Sequence, residues 1–140
     1  MINYVTEFGY SELLAERDKM IYERDNLSIA DENENRIAVN FINAKLQLLQ
    51  DRISTAKIVD LSKQPKNKVR FGANVFFTVE SDSKIQNYQI VGVDEANIAK
   101  RKIVFNSPIA KIFIDRKVGD SVTLKLEKTE KQFKIVSIKY

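Results

Sequence analysis

Three carboxylates fall within four residues of this sequence, at Asp31, Glu32 and Glu34, and Asn35 follows directly after them. Carboxylate and amide oxygens can serve as ligands for a hard cation. The same residues can also begin a helix, because an N-cap Asp followed three residues later by Glu forms a capping box and acidic side chains suit the first helical turn. The residue types alone leave both interpretations open.

The rest of the composition excludes several classes of catalyst. The 140 residues include no cysteine and no histidine. Disulfides, thiolate metal sites and Ser-His-Asp catalysis are therefore impossible, and the most common zinc ligand is missing. No apolar run approaches the ~20 residues of a membrane span, and the N-terminus lacks the pattern of a signal peptide. We expect a cytoplasmic protein without membrane association.

Charge divides the chain into halves of opposite sign. Residues 1–60 carry a net charge of −4 and residues 61–140 carry +8, which together give the +4 of the whole chain. This asymmetry suggests that one half approaches an anionic surface, although a solvated lysine-rich surface explains it equally well. Direct binding of nucleic acid is one alternative function, but the basic half contains no recognisable nucleic-acid-binding motif.

The acidic cluster must be positioned by helices, because residues 11–56 contain neither Gly nor Pro. In the second part of this stretch, apolar residues recur at alternating spacings of three and four, as in a coiled coil. They are Val39, Ile42, Leu46, Leu49, Ile53 and Ala56. In the first part Leu13, Met20 and Leu27 recur every seven residues, with Arg17 and Arg24 at positions where a seam would favour apolar side chains.

Each apolar stripe is too narrow to form the centre of a globular core. Two short helices with such stripes most simply pack as an antiparallel hairpin. We predict this hairpin over residues 1–60, with the first helix from Ser11 to Ala30 and the turn within residues 31–35. The acidic cluster would then lie at the tip of the hairpin.

The pattern changes after Ala56. Residues 62–67 are polar and contain Pro65, and we predict a linker over residues 61–67. Residues 68–140 alternate as strands, from Val69 to Val91 in a first β-hairpin and from Val122 to Ile138 in a second. A short helix is predicted from Pro108 to Ile114, because Ser107 is a good N-cap and Pro suits the first helical position. The second half is therefore predicted to be a small antiparallel sheet with one packed helix.

Four stretches of the second half together resemble the globular domain of the bacterial transcript-cleavage factors GreA and GreB. In order, they are residues 69–75 (VRFGANV), 88–96 (YQIVGVDEA), 107–111 (SPIAK) and 117–122 (KVGDSV). Thr6, Gly9 and Leu13 similarly resemble the start of the first helix in that family. The resemblance implies an α+β protein, in which an N-terminal antiparallel coiled coil precedes an FKBP-like domain.

The resemblance also implies a function. Gre factors are not enzymes on their own, and they bind bacterial RNA polymerase at its secondary channel. Acidic residues at the tip of their coiled coil help to hold Mg²⁺ and a water molecule, so that the polymerase cuts its own backtracked nascent RNA. Asp31, Glu34 and Asn35 match the tip pattern of Asp, two residues, Glu and Asn. The implied chemistry uses the Mg²⁺ of the polymerase and no cofactor of this chain, and we expect a monomer.

Two alternatives follow from the same resemblance. The hairpin is shorter than is usual in the family by some 15 residues, which shortens each arm by ~10 Å at 1.5 Å per residue. The protein would then occupy the channel as a modulator or inhibitor without completing the catalytic site. An FKBP-like fold also suggests a peptidyl-prolyl isomerase, but the absence of Trp speaks against an aromatic proline pocket.

The remaining candidates are residues that could bind a partner. Asp94 and Glu95 follow Gly92 at a strand end, where turn and cap chemistry is the simpler interpretation, and contact with a partner is the alternative. The other partner-binding candidates are Ser107, Pro108 and Ile109. The run of Lys100, Arg101 and Lys102 is either a solvated loop or a contact to an acidic or phosphate surface.

Overall fold

The structure of the protein is a computed structural model that describes the backbone of residues 2–27 and 32–140 and the side chains of residues 2–27 and 35–140. The fold is α+β, as predicted. It divides into two units, of which the first ends at Ile58 and the second comprises Val59–Tyr140. The second unit thus includes residues 61–67, where a 3₁₀ turn runs from Leu61 to Lys63.

The first unit is a helical hairpin. Helix α1 spans Glu7–Asp25 and helix α2 spans Glu32–Ser54, and the two helices pack against each other. The predicted seam is confirmed within α2, because its five apolar positions from Val39 to Ile53 are buried or half-buried. The sixth predicted position, Ala56, is half-buried but lies beyond the end of the helix. Arg24 crosses the seam: its Nη1 donates to Oδ1 of Asn43 at 3.1 Å, which explains how the hairpin accommodates a cation at this position.

The predicted position of the turn is wrong. Helix α1 ends at Asp25, where the backbone N–H of Asn26 bonds to the carbonyl of Tyr22 at 3.1 Å and its side chain bonds to the same carbonyl at 2.7 Å. Helix α2 already begins at Glu32. The prediction places the turn midway between Tyr10 and Ala56, on the assumption that these residues are the two ends of the hairpin. Helix α1 begins at Glu7 instead, four residues before its predicted start. Residues 32–35 of the predicted turn are therefore helical, and residue 31 lies outside the described residues.

The base of the hairpin contains a feature that the sequence did not reveal. Strand β1 (Asn3–Val5) pairs in parallel with strand β2 (Ala56–Ile58). Nη2 of Arg52 donates to Oδ1 of the buried Asn3 at 2.8 Å, and Nδ2 of Asn3 donates to the carbonyl of Arg52 at 3.2 Å. Thr6 then starts α1 as its N-cap, because its Oγ1 accepts the N–H of Gly9 at 2.9 Å. Both ends of the hairpin are thereby held together at the base.

The second unit is a five-stranded sheet with one short helix. Its strands are β3 (Asn74–Val79), β4 (Gln86–Val91), β5 (Lys102–Val104), β6 (Ser121–Lys125) and β7 (Glu130–Lys139), and helix α3 spans Pro108–Phe113. The strand order is β5-β4-β3-β7-β6. Pairing is antiparallel except between β4 and β5, which are parallel. The prediction of a purely antiparallel sheet is corrected in this one pair.

The first predicted β-hairpin begins later than expected. Residues 69–73 are not a strand, because Gly72 adopts a φ of +89° and turns the chain before β3. A Cβ at this position would overlap the side chain of Leu61. Val69 instead pairs through its backbone with Asp115 and Arg116, at 2.8 and 2.9 Å. This turn therefore requires glycine both for its conformation and for its packing.

The core of the second unit lies between the inner face of the sheet and α3. Phe77 is at its centre, with ring centroids 5.3 Å from Phe113, 5.4 Å from Phe133 and 5.6 Å from Tyr88. Helix α3 begins as predicted: Ser107 is its N-cap, with Oγ accepting the N–H of Ala110 at 3.3 Å, and Pro108 is in its first turn. Aromatic packing therefore fixes α3 against the sheet.

Candidate partner-docking site

A cavity of about 980 Å³ opens on the inner face of the sheet in the second unit. Its walls come from β3 to β7, from the start of α3 and from the three connections after β3, β4 and β6. The apolar part of the lining consists of Phe77, Val79, Tyr88, Ala96, Ile98, Ile103, Val104, Pro108, Ile109, Leu124, Leu126 and Phe133. Charged and polar side chains surround this part, among them Glu80, Asp82, Lys102 and Lys131. A large apolar depression with a polar rim is suited to binding a partner.

Three of the five predicted partner-binding residues line this cavity. They are Ser107, Pro108 and Ile109, at the start of α3. Ser107 and Ile109 are half-buried and Pro108 is exposed. Because Ser107 uses its hydroxyl oxygen to cap the helix, its role at the rim is first of all to orient the two apolar residues that follow. Contact of these three residues with a partner stays a prediction.

Glu95, the fourth candidate, does not lie on the surface. Its side chain is only 3% exposed, and its Oε2 is 2.8 Å from Nζ of Lys102, which is itself 18% exposed. Asp94, the fifth, is exposed on the same turn. Because the carboxylate of Glu95 is buried and ion-paired, Glu95 can act on a partner only through the residues that it holds in place.

The basic run at residues 100–102 is divided among three environments. Lys100 is exposed, whereas the guanidinium of Arg101 lies 4.0 Å from the ring centroid of Tyr88 and bonds to the carbonyl of Asn87 at 3.0 Å. Lys102 turns inward to Glu95. Sequence reasoning missed both partnerships, because they join residues 7 to 14 positions apart and follow no periodic pattern. Only Lys100 remains as the exposed cation that the run suggested.

The acidic tip falls largely outside the described part of the chain. Asp31 is not among the described residues, and Glu34 lies in the first turn of α2 with its side chain undescribed. The roles predicted for these two carboxylates as Mg²⁺ ligands therefore stay predictions. Among the side chains of residues 2–27 and 35–140, no three acidic groups converge in a way that could hold a metal.

Within the described residues, no helix is long and apolar enough to cross a membrane.

Two titratable groups that contact residues 68–70 have pKa values shifted by their surroundings. Nη1 of Arg70 donates to Oδ1 of Asp115 at 2.6 Å, and this hydrogen bond lowers the pKa of the carboxyl below its usual value. Burial raises the pKa of the Tyr140 phenol, whose oxygen donates to the carbonyl of Lys68 at 2.6 Å and accepts the N–H of Arg70 at 2.8 Å. Both groups connect residues 68–70 to distant parts of the chain.

Comparison with known proteins identifies relatives along the whole chain. Residues 64–140 match the family model described as "Transcription elongation factor, GreA/GreB, C-term". Transcription elongation factor GreA of Nitratiruptor sp. is 32% identical over a match that covers 97% of this chain and 92% of the relative. GreA of Thioalkalivibrio sulfidiphilus is 41% identical, and that match covers 71% of this chain and 64% of the relative. In that second case the chain thus spans less than two thirds of the length of the relative.

The fold agrees with a solved structure of the same group. The transcription elongation factor GreA/GreB of Nitrosomonas europaea superimposes with a TM-score of 0.50 at 15% sequence identity, covering 99% of each chain. At this identity the similarity concerns the fold alone. The family model covers more than half of the chain and the GreA match covers nearly its full length, and this chain therefore belongs to the GreA/GreB family of transcription elongation factors.

Proposed function

We propose that this protein binds RNA polymerase through the cavity of its second unit and stimulates the polymerase to cleave backtracked nascent RNA. The observation that carries the proposal is the GreA match over 97% of the chain, which includes the helical hairpin as well as the globular unit. The cavity supports a binding role, because Pro108 and Ile109 offer apolar surface at its rim. The protein is not an enzyme alone in this scheme.

The acidic segment supplies the chemical part of the proposal. Asp31 and Glu34 would provide carboxylate oxygens to the Mg²⁺ of the polymerase, and a metal ion held there stabilises developing negative charge and helps to generate the attacking hydroxide. Because these carboxylates contribute only where metal and transition-state charge are present, they should affect the rate of cleavage rather than the affinity for polymerase. Binding energy would come from the globular unit.

The test is a cleavage assay on a stalled, backtracked elongation complex in the presence of Mg²⁺. The wild-type protein should shorten the nascent RNA. Asp31→Ala and Glu34→Ala should each reduce the stimulated rate by about 10²-fold or more, a magnitude typical for loss of a group that stabilises transition-state charge. Glu32→Ala is the matched control and should retain stimulation. All four proteins should bind polymerase equally well.

Two results would contradict the proposal. If Asp31→Ala and Glu34→Ala both stimulate like the wild type, the two carboxylates only cap α2. If the wild type binds polymerase and leaves the RNA intact, the protein is a modulator that occupies the channel. Helix α1 has 19 residues and is therefore ~28 Å long. Whether a hairpin of this length reaches the active site of the polymerase can be tested by inserting one heptad after Met20 and one after Ala44. Lengthening should raise cleavage only if the native tip stops short.

A further inference from the structure

One wall of the cavity is the loop between β4 and β5, residues 92–101, which is closed by contacts to Lys102 at the start of β5. The N–H groups of Glu95 and Ala96 both bond to the carbonyl of Gly92 at 3.2 Å. Asn97 and Lys102 exchange two backbone hydrogen bonds, at 2.9 and 3.0 Å. Ala96, Asn97 and Ile98, which line the cavity, belong to this loop. The position of the wall is therefore set by contacts within the loop.

Ile98 is the most exposed apolar side chain of this wall. It is 70% exposed although it lines the cavity. It begins a 3₁₀ turn, Ile98–Lys100, whose N-cap is Asn97, with Oδ1 accepting the N–H of Ala99 at 3.0 Å. A large aliphatic side chain at the rim of an apolar depression gains free energy when a partner covers it.

The side chains of Glu95 and Lys102 close the loop from inside. Their ion pair spans 2.8 Å and is shielded from solvent, with exposures of 3% and 18%. Lys102 also lines the cavity, so one member of the pair is itself part of the cavity wall. A buried ion pair is weak evidence for stability, because desolvation offsets the attraction, whereas loss of one member leaves an uncompensated charge that displaces its surroundings. Such a pair is suited to fixing a conformation.

We propose that the Glu95–Lys102 ion pair is a positioning device that holds Ile98 at the rim of the cavity, where Ile98 contacts an apolar side chain of RNA polymerase. This inference rests on the proposed function, which supplies the partner. Glu95 then contributes to docking without touching the polymerase. Ile98 is the contact residue, and Glu95 and Lys102 are positioning residues that act through it.

The test is a double-mutant cycle on affinity, using the full chain titrated with core RNA polymerase at low salt. Ile98→Ser should weaken binding about 10-fold, a loss typical of an interface residue that matters for affinity. Glu95→Gln should weaken it about 5-fold or more, and so should Lys102→Met, which keeps the aliphatic stem and removes the charge. Because the pair acts through Ile98, Glu95→Gln combined with Ile98→Ser should bind no more weakly than Ile98→Ser alone. Val118→Ser removes another exposed aliphatic side chain and is the matched control.

Amide hydrogen exchange separates positioning from general destabilisation. In Glu95→Gln and Lys102→Met, the amides of Asn97 and Lys102 should exchange faster, while those of β3 and β7 keep the wild-type rate. Additive losses in the cycle, or single variants that bind like the wild type, would overturn the positioning role. The positioning role would also be overturned if the larger unfolded fraction of each variant fully explained its loss of affinity. A wild type that does not bind polymerase would overturn the proposed function, and the docking role with it.

Discussion

The two units of this protein bury their apolar side chains in different ways. The second unit has a contiguous core of twelve buried residues, with Phe77, Phe113 and Phe133 in mutual contact. Among the described residues of the hairpin, the buried apolar side chains are only Val5, Leu13 and Leu46, and the rest of the seam is half-buried.

The difference indicates where each unit obtains its stability. A narrow seam removes little apolar surface from water, so the hairpin depends strongly on single contacts such as its N-cap and the hydrogen bonds at its base. The sheet unit distributes its stability over many contacts in a close-packed core. In the proposed function the second unit docks and the hairpin acts, and a preorganised docking surface then favours binding because less ordering accompanies it.

Phe77→Ala should produce the largest loss of stability. Phe77 is 1% exposed and touches three other aromatic rings. Truncating such a residue removes transfer free energy and leaves a cavity, so we expect a loss of about 3–5 kcal/mol. Urea unfolding followed by near-ultraviolet circular dichroism measures it. A loss below about 1 kcal/mol would contradict the picture of a close-packed core.

Leu46→Ala should weaken the hairpin by a smaller amount. Leu46 is 6% exposed at the centre of the seam, and the expected loss is about 2–3 kcal/mol. Leu48→Ala, on the same helix but 68% exposed, is the control and should change stability by less than about 0.5 kcal/mol. Amide exchange should show faster opening of α1 and α2, with β3 and β7 unchanged. Equal effects of the two substitutions would mean that the seam does not hold the hairpin together.

The helix caps of the two units provide a third comparison. The Thr6 hydroxyl is buried and makes a 2.9 Å bond to the N–H of Gly9, whereas the Ser107 bond to Ala110 is 3.3 Å and half-buried. Thr6→Ala should therefore cost about 1–2 kcal/mol and Ser107→Ala about 0.5 kcal/mol. Thermal unfolding of both variants measures the order. The reverse order would show that α3 relies on its cap more than the hairpin does.

The last predicted effect depends on pH and concerns the second unit. Burial raises the folded-state pKa of Tyr140 above its ordinary value, so the fold favours the neutral phenol. Its stabilising contribution is present below the ordinary pKa of ~10 and is lost as pH rises through the folded-state pKa. At neutral pH, Tyr140→Phe should cost about 1 kcal/mol, because two hydrogen bonds of a half-buried hydroxyl are lost.

The difference between the wild type and Tyr140→Phe should disappear in the alkaline range. Comparing their urea midpoints between neutral pH and pH values above the ordinary pKa of Tyr isolates this phenol, because the two proteins differ in no other group. A difference that stays constant with pH would mean that the phenol is not the titrating group.

Some predictions from the sequence depended on periodicity, and these are confirmed. The seam of α2 is covered at the five predicted positions that lie within the helix, since a heptad pattern directly determines which side of a helix can be buried. The start of α3 at Ser107 and Pro108 is also confirmed, because capping is a local interaction. The position of the turn after Asp25 could not be obtained this way, since it depends on the actual lengths of both arms.

The sequence by itself therefore determined the helical seam, the alternation of the main strands, the capped helix and, through four ordered motifs, the family. The tertiary structure alone decided the β1–β2 pairing, the parallel strand β5, the turn at Gly72 and the burial of Glu95 against Lys102. The physical reason is the range of the interactions. Periodicity and caps act over a few residues, whereas short strand pairs and buried ion pairs depend on which distant segments the fold brings together.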